Sequence, residues 1–86
     1  MSESVPAAIA TAIRTVLHDT GRDAKSVESD MLLSADLGLD SLDLAQTIVL
    51  LERSLGVDPF RSRSGTWPAI RTVADLAAIY TEALGQ

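Results

Sequence analysis

Apolar residues recur along this chain with helical spacing. Ile9, Ile13 and Val16 fall at i, i+4 and i+7, with Ala12 and Leu17 widening the stripe, which predicts a helix over residues 5–18. Ser4 can cap its start, Pro6 is tolerated because it lies in the first turn, and Thr20-Gly21 ends it. The strongest period runs over 41–55, where Leu44, Ile48, Leu51 and Leu55 follow i, i+4, i+7 and i+11. A second stripe, Leu42, Ala45 and Val49, runs beside it. A helix with two apolar stripes is either deeply buried or keeps one of them for a partner. The expectation is that the first stripe meets Ile9, Ile13, Val16, Leu76 and Ile79 in the core, while the second stays exposed. Gly56 stops this helix. A third is predicted over 72–84, opened by the capping-box-like pair Thr72 and Asp75, with Val73, Leu76, Ala77, Ile79, Tyr80 and Leu84 on its buried face.

Two segments lack a period. A loop as long as 22–40 is unusual inside a small domain unless it is functional or pinned. It carries its own anchors, Met31-Leu32-Leu33 and then Leu37 and Leu39, so it reads as a loop laid over the core with one helical turn near 30–34. In 57–71 the pairs Asp58-Pro59 and Ser64-Gly65 are turn signals, and a short helix fits on either side of Gly65. No Val/Ile/Thr run alternates with period two, so no sheet is expected.

Composition narrows the function. At 86 residues the chain is one domain, and with 47% hydrophobic residues it can bury a core. Having no cysteine, it cannot be a disulfide scaffold, a thiol enzyme or a Cys-ligated metal site. Its one histidine, His18, leaves a multi-His metal site impossible, and it reads as a surface residue at a helix end beside Arg14. A net charge of −5 argues against a nucleic-acid partner. No apolar stretch is long enough to span a bilayer, and the N-terminus carries Glu3 where a signal peptide needs basic residues, so a cytoplasmic protein is expected. The charge is uneven. Seven acids against Arg22 and Lys25 lie between Asp19 and Asp43, whereas Arg53, Arg61, Arg63 and Arg71 follow with only Asp58 against them. Most such charges simply solvate a surface, but two poles can also orient a docking partner.

The informative stretch is Asp36-Leu37-Gly38-Leu39-Asp40-Ser41-Leu42-Asp43-Leu44. Asp40 sits where an N-cap belongs, with Asp43 three residues later, so Ser41 becomes the first residue of a helix. Its hydroxyl then lies beside unpaired backbone N–H groups and the positive end of the helix dipole, a favourable place for a phosphate ester. Gly38 lets the chain turn without crowding the serine, Leu37 and Leu39 tie the loop to the core, and Leu42 flanks the serine on the exposed side. The same residues also read as an ordinary helix start. A serine nucleophile would have no base but His18, and Asp40 and Asp43 would raise the serine's pKa. A calcium loop is excluded because leucines stand where oxygen ligands are needed.

With DLGLDSLDL near the middle and a closing TVADLAAIY helix, the chain resembles an acyl carrier protein over nearly its whole length. The resemblance implies an all-α fold, a four-helix bundle of three main helices and one short one with a long loop between the first two. It implies a single carrier domain over 1–86, with 4′-phosphopantetheine attached to Ser41 by a phosphopantetheinyl transferase using coenzyme A and Mg²⁺. The arm's thiol would carry an acyl group as a thioester, so a chain without cysteine takes part in thiol chemistry. It further implies a monomer that is not itself an enzyme and that serves acyl-transferring or condensing enzymes. Asp36, Asp40, Leu42, Asp43, Ala45 and Val49 are the expected partner-recognition residues, and no metal site is expected.

The sequence departs from carriers of general fatty-acid synthesis. Gln46, Thr47 and Arg53 replace part of a glutamate-rich run, and DPFRSRSGTWPAI is basic and bears a tryptophan. That favours a dedicated carrier for a polyketide or modified lipid over the general fatty-acid carrier. A peptidyl or aminoacyl carrier is the nearest alternative, although LGLDS is closer to the acyl type. A helical adaptor that never bears an arm is the alternative of a different class.

Overall fold

The computed structural model describes residues 4–22, 26–59 and 70–85. Three α-helices account for most of them: α1 (Val5–Asp19), α2 (Ser41–Leu55) and α3 (Val73–Ala83). All three predicted helices are present, and each begins on the cap read from the sequence. Ser4 Oγ accepts from the Ala7 N–H at 3.4 Å, with Pro6 in the first turn. At α3 the box is reciprocal. Thr72 Oγ1 accepts from the Asp75 N–H at 3.1 Å, and Asp75 Oδ2 accepts from the N–H of Thr72 and of Arg71. These two backbone donors hold the Asp75 carboxyl below the usual carboxylate range. Gly56 ends α2 at φ 72°, a left-handed conformation that favours glycine.

α1 is the spine. It packs on both other helices, whereas no Cα of α2 comes within 8 Å of a Cα of α3. This explains the width of its apolar face: Val5, Ala8, Ile9, Ala12, Ile13, Val16 and Leu17 are all buried, covering two contact directions. Leu51 from α2 and Leu76 and Tyr80 from α3 fill the centre with no exposed surface. The two stripes of α2 divide as expected. Ile48 and Leu51 are buried and Leu44 and Leu55 half-buried, while Leu42, Ala45 and Val49 are exposed. Ile79, expected in the core, is half-buried. Burial pushes the Tyr80 phenol up, and the nearby Asp58 and Glu52 carboxylates push it the same way.

The long loop is pinned rather than free. Leu33, Leu37 and Leu39 are buried, while Leu32 of the first anchor group is exposed. The single helical turn expected near 30–34 falls slightly later, with the Asp36 N–H donating to Leu32 O at 3.1 Å, and no helix forms there. Leu32 also makes an antiparallel bridge with Thr72. The Leu33 N–H donates to Arg71 O at 2.8 Å, Val73 N–H to Met31 O at 3.1 Å and Ala74 N–H to Ser29 O at 2.9 Å. The backbone groups of 29–33 are shared between the entry to α3 and local turns, the Met31 N–H donating to Glu28 O and Leu32 O accepting from the Asp36 and Leu37 N–H groups. Turns follow over 33–37, with Asp36 Oδ2 accepting from the Leu32 N–H at 2.7 Å. This one bridge is the only departure from an all-helical pattern among the described residues. The short fourth helix is not confirmed. Residues 57–59 and 70–72 are not helical, and Phe60 to Ala69, with Arg61, Arg63 and Trp67, lie outside the described residues.

Candidate functional site

The site is built where the loop enters α2. Gly38 adopts φ 70°, turning the chain towards the helix. Leu37 and Leu39, buried on either side of it, fix the turn to the core. Asp40 is the N-cap: its Oδ1 accepts from the Asp43 N–H at 2.8 Å, and Asp43 Oδ2 accepts from the Asp40 N–H at 3.2 Å. This is the full capping box. It leaves the N–H groups of Ser41 and Leu42 with no acceptor among the described residues, at the positive end of the dipole. Ser41 is exposed there, in the first helical position.

Two grooves open from Ser41. One, of about 450 Å³, runs past Leu39, Asp40 and Leu44 to Leu33, Ser34, Ile70 and Arg71. The other, of about 220 Å³, is walled by Leu44, Ala45 and Ile48. A bulky group joined to the serine therefore has room, and the anion that joins it would lie by the N–H donors of the helix start, with the Asp40 carboxylate beside it engaged as the cap. The residues present fit a phosphodiester-linked prosthetic group.

Of the partner-facing residues expected from the sequence, Asp36, Asp40, Leu42, Ala45 and Val49 are exposed around and beyond Ser41. Asp43 differs: it is only 6% exposed and points inward. Its Oδ2 also accepts from Arg22 Nη2 at 2.7 Å. That guanidinium, with the Asp40 N–H next in weight, holds the Asp43 carboxyl below the usual carboxylate range. Asp43 is thus part of the frame under the serine rather than of the exposed surface. The sequence reading missed Arg22 as a member of the site. Only its charge against a run of acids hinted at it, because its partner lies 21 residues away. Thr47, treated as a departure on a surface run, is fully buried and donates to Asp43 O at 2.9 Å. His18 is exposed on α1, as expected. Among the described residues no group of three His, Asp or Glu side chains could hold a metal, and no helix is long and apolar enough to cross a membrane.

The chain belongs to the family described as phosphopantetheine attachment site, whose model matches residues 7–63, more than half of its length. Members of that family carry covalently attached 4′-phosphopantetheine, so this chain is a phosphopantetheine carrier. No curated protein and no solved structure gives a significant match to it.

Proposed function

We propose that this protein is a dedicated acyl carrier, loaded at Ser41, for one specialised chain such as a polyketide or a modified lipid. The observation that carries the loading site is the exposed Ser41 hydroxyl at the first position of α2, above a closed Asp40–Asp43 capping box. When attached, the arm supplies the thiol that holds an acyl group as a thioester. The chain's own residues do the rest. Asp40 and Asp43 fix the helix start, the Ser41 and Leu42 N–H groups would be the donors available to the phosphodiester, and Leu37 and Leu39 hold the turn. Leu42, Ala45 and Val49, with Asp36 and Asp40, form the surface offered to the phosphopantetheinyl transferase and to acyl-transferring or condensing enzymes. The carrier contributes proximity rather than chemistry, acting as one monomeric, cytoplasmic domain. The dedicated role rests on Gln46, Arg53 and the basic 57–71 segment, which set it apart from an acidic general carrier.

Incubation with coenzyme A, Mg²⁺ and a broad-specificity transferase, read by intact mass, tests the site. Wild type should gain the mass of the arm and Ser41→Ala should not. An alanine variant that still gains it would move the site to another residue. A wild type that never gains it would make the chain a helical adaptor. Mass analysis of the protein from its native host would then identify the acyl group.

A further inference from the structure

Arg22 follows the turn that ends α1, and one side chain reaches three places. Its Nε–H donates to Thr20 Oγ1 at 3.0 Å, its Nη1 to Gly38 O, and its Nη2 to Asp43 Oδ2 at 2.7 Å. Thr20 is itself fastened to α1, its Oγ1 donating to Val16 O at 2.9 Å and Leu17 O at 3.1 Å. The fork therefore joins the end of α1, the glycine turn before the serine, and the capping box after it. A guanidinium suits the task because its donors are coplanar and fixed in direction, which a lysine cannot reproduce. Gly38 is kept close as well: a Cβ there would stand 3.5 Å from Arg22 Nη1.

We infer that Arg22 is a positioning residue for arm attachment, holding Ser41 Oγ in the place the transferase needs. The inference rests on Ser41 being the attachment site. Among the described residues the guanidinium bonds to Thr20, Gly38 and Asp43, and not to the serine or the exposed stripe of α2. Its loss should leave recognition through Leu42, Ala45 and Val49 intact while loosening the turn on one side of the serine and the box on the other. Reaction rates fall steeply when a reacting atom is displaced by about 1 Å. The signature is a loss in kcat, with KM held.

The test measures transfer kinetics from coenzyme A for wild type, Arg22→Met, Arg22→Lys and Ser41→Ala, well below the melting temperature of each folded variant. Arg22→Met should lose about tenfold or more in kcat, with KM within about twofold of wild type. Arg22→Lys, which can restore the Asp43 pair but not the fork, should fall between the two. Wild-type kcat in Arg22→Met, a loss confined to KM, or a loss that only tracks the unfolded fraction would overturn the inference. Ser41→Ala accepting the arm would defeat the Ser41 reading instead, whatever the arginine variants do. If Arg22→Met does not fold, the wild-type protein decides by NMR. The Arg22 guanidinium should show restricted rotation and slowly exchanging protons, and a freely rotating, fast-exchanging group would sink the proposal.

Discussion

Ser41 is defined by its neighbours rather than by its own bonds. The acids on either side have different tasks: Asp40 caps the helix from an exposed position, and Asp43 is drawn inward by Arg22. This division gives a pH dependence. The Asp43 and Asp75 carboxyls both titrate below their usual range when folded, so folding favours their ionised forms. Their contribution to stability is fully present above the unfolded pKa of about 4 and is lost as pH falls through the folded values. Melting temperature should thus be steady near neutrality and decline below about pH 4. Asp75→Asn should flatten part of that decline, and a wild type whose melting point is unchanged between pH 5 and pH 2 would contradict the assignment. In the core, Leu51 has no exposed surface. Leu51→Ala should cost about 2–5 kcal/mol in denaturant unfolding. A cost below about 1 kcal/mol would mean that the site collapses or is not packed as described.

At the scale of the element, α2 has two audiences. Its Ile48 and Leu51 edge meets the core, whereas Leu42 and Val49 are 69% and 48% exposed. A charge at Val49 should therefore change stability by no more than about 0.5 kcal/mol. Val49→Glu should nevertheless slow arm attachment and acyl transfer, and thermal melting paired with a transfer assay separates the two effects. Equal loss of both would place Val49 in the core after all. The helices were legible in the sequence because each combines a cap with a sustained period. Ser4, the Asp40–Asp43 pair and the Thr72–Asp75 pair marked the starts, and the leucines of α2 marked both faces. The long loop was legible only as a set of anchors. The hydrogen bonds that pin it run between 29–33 and 71–74, and no local rule pairs segments so far apart. The same holds for Arg22 and Asp43, and for Thr47, whose polar side chain is buried because Asp43 O lies one turn back to receive it. The serine at the head of α2 was readable because capping, dipole and flanking leucines all fall within nine residues of sequence.

Across the whole molecule, α2 and α3 lean on α1 without close approach to each other, and the loop closes the third side by bonding to the start of α3. Its exposed charges follow the same geography. Asp36 and Asp40 stand at the serine end, Arg53 in the last turn of α2, and Arg71 at the mouth of the larger groove. A uniformly basic partner is drawn to the first end and repelled at the other, which favours a partner of mixed surface. The stitching of 29–33 to 71–74 has a consequence for the order of events during synthesis. A ribosome delivers a chain from its N-terminus at ~5–20 residues per second. Ser41 thus leaves the ribosome before Arg71, Thr72 and Val73 leave it to receive the loop that frames it. Until they do, the larger groove lacks the wall supplied by Ile70 and Arg71, and an unfinished chain should escape loading. The fold would then act as a completeness check, reserving the costly cofactor for finished molecules. A chain stopped after residue 69 should remain unmodified by the transferase, and adding a 70–86 peptide in trans should restore modification. Loading of the truncated chain at the full-length rate would rule the check out.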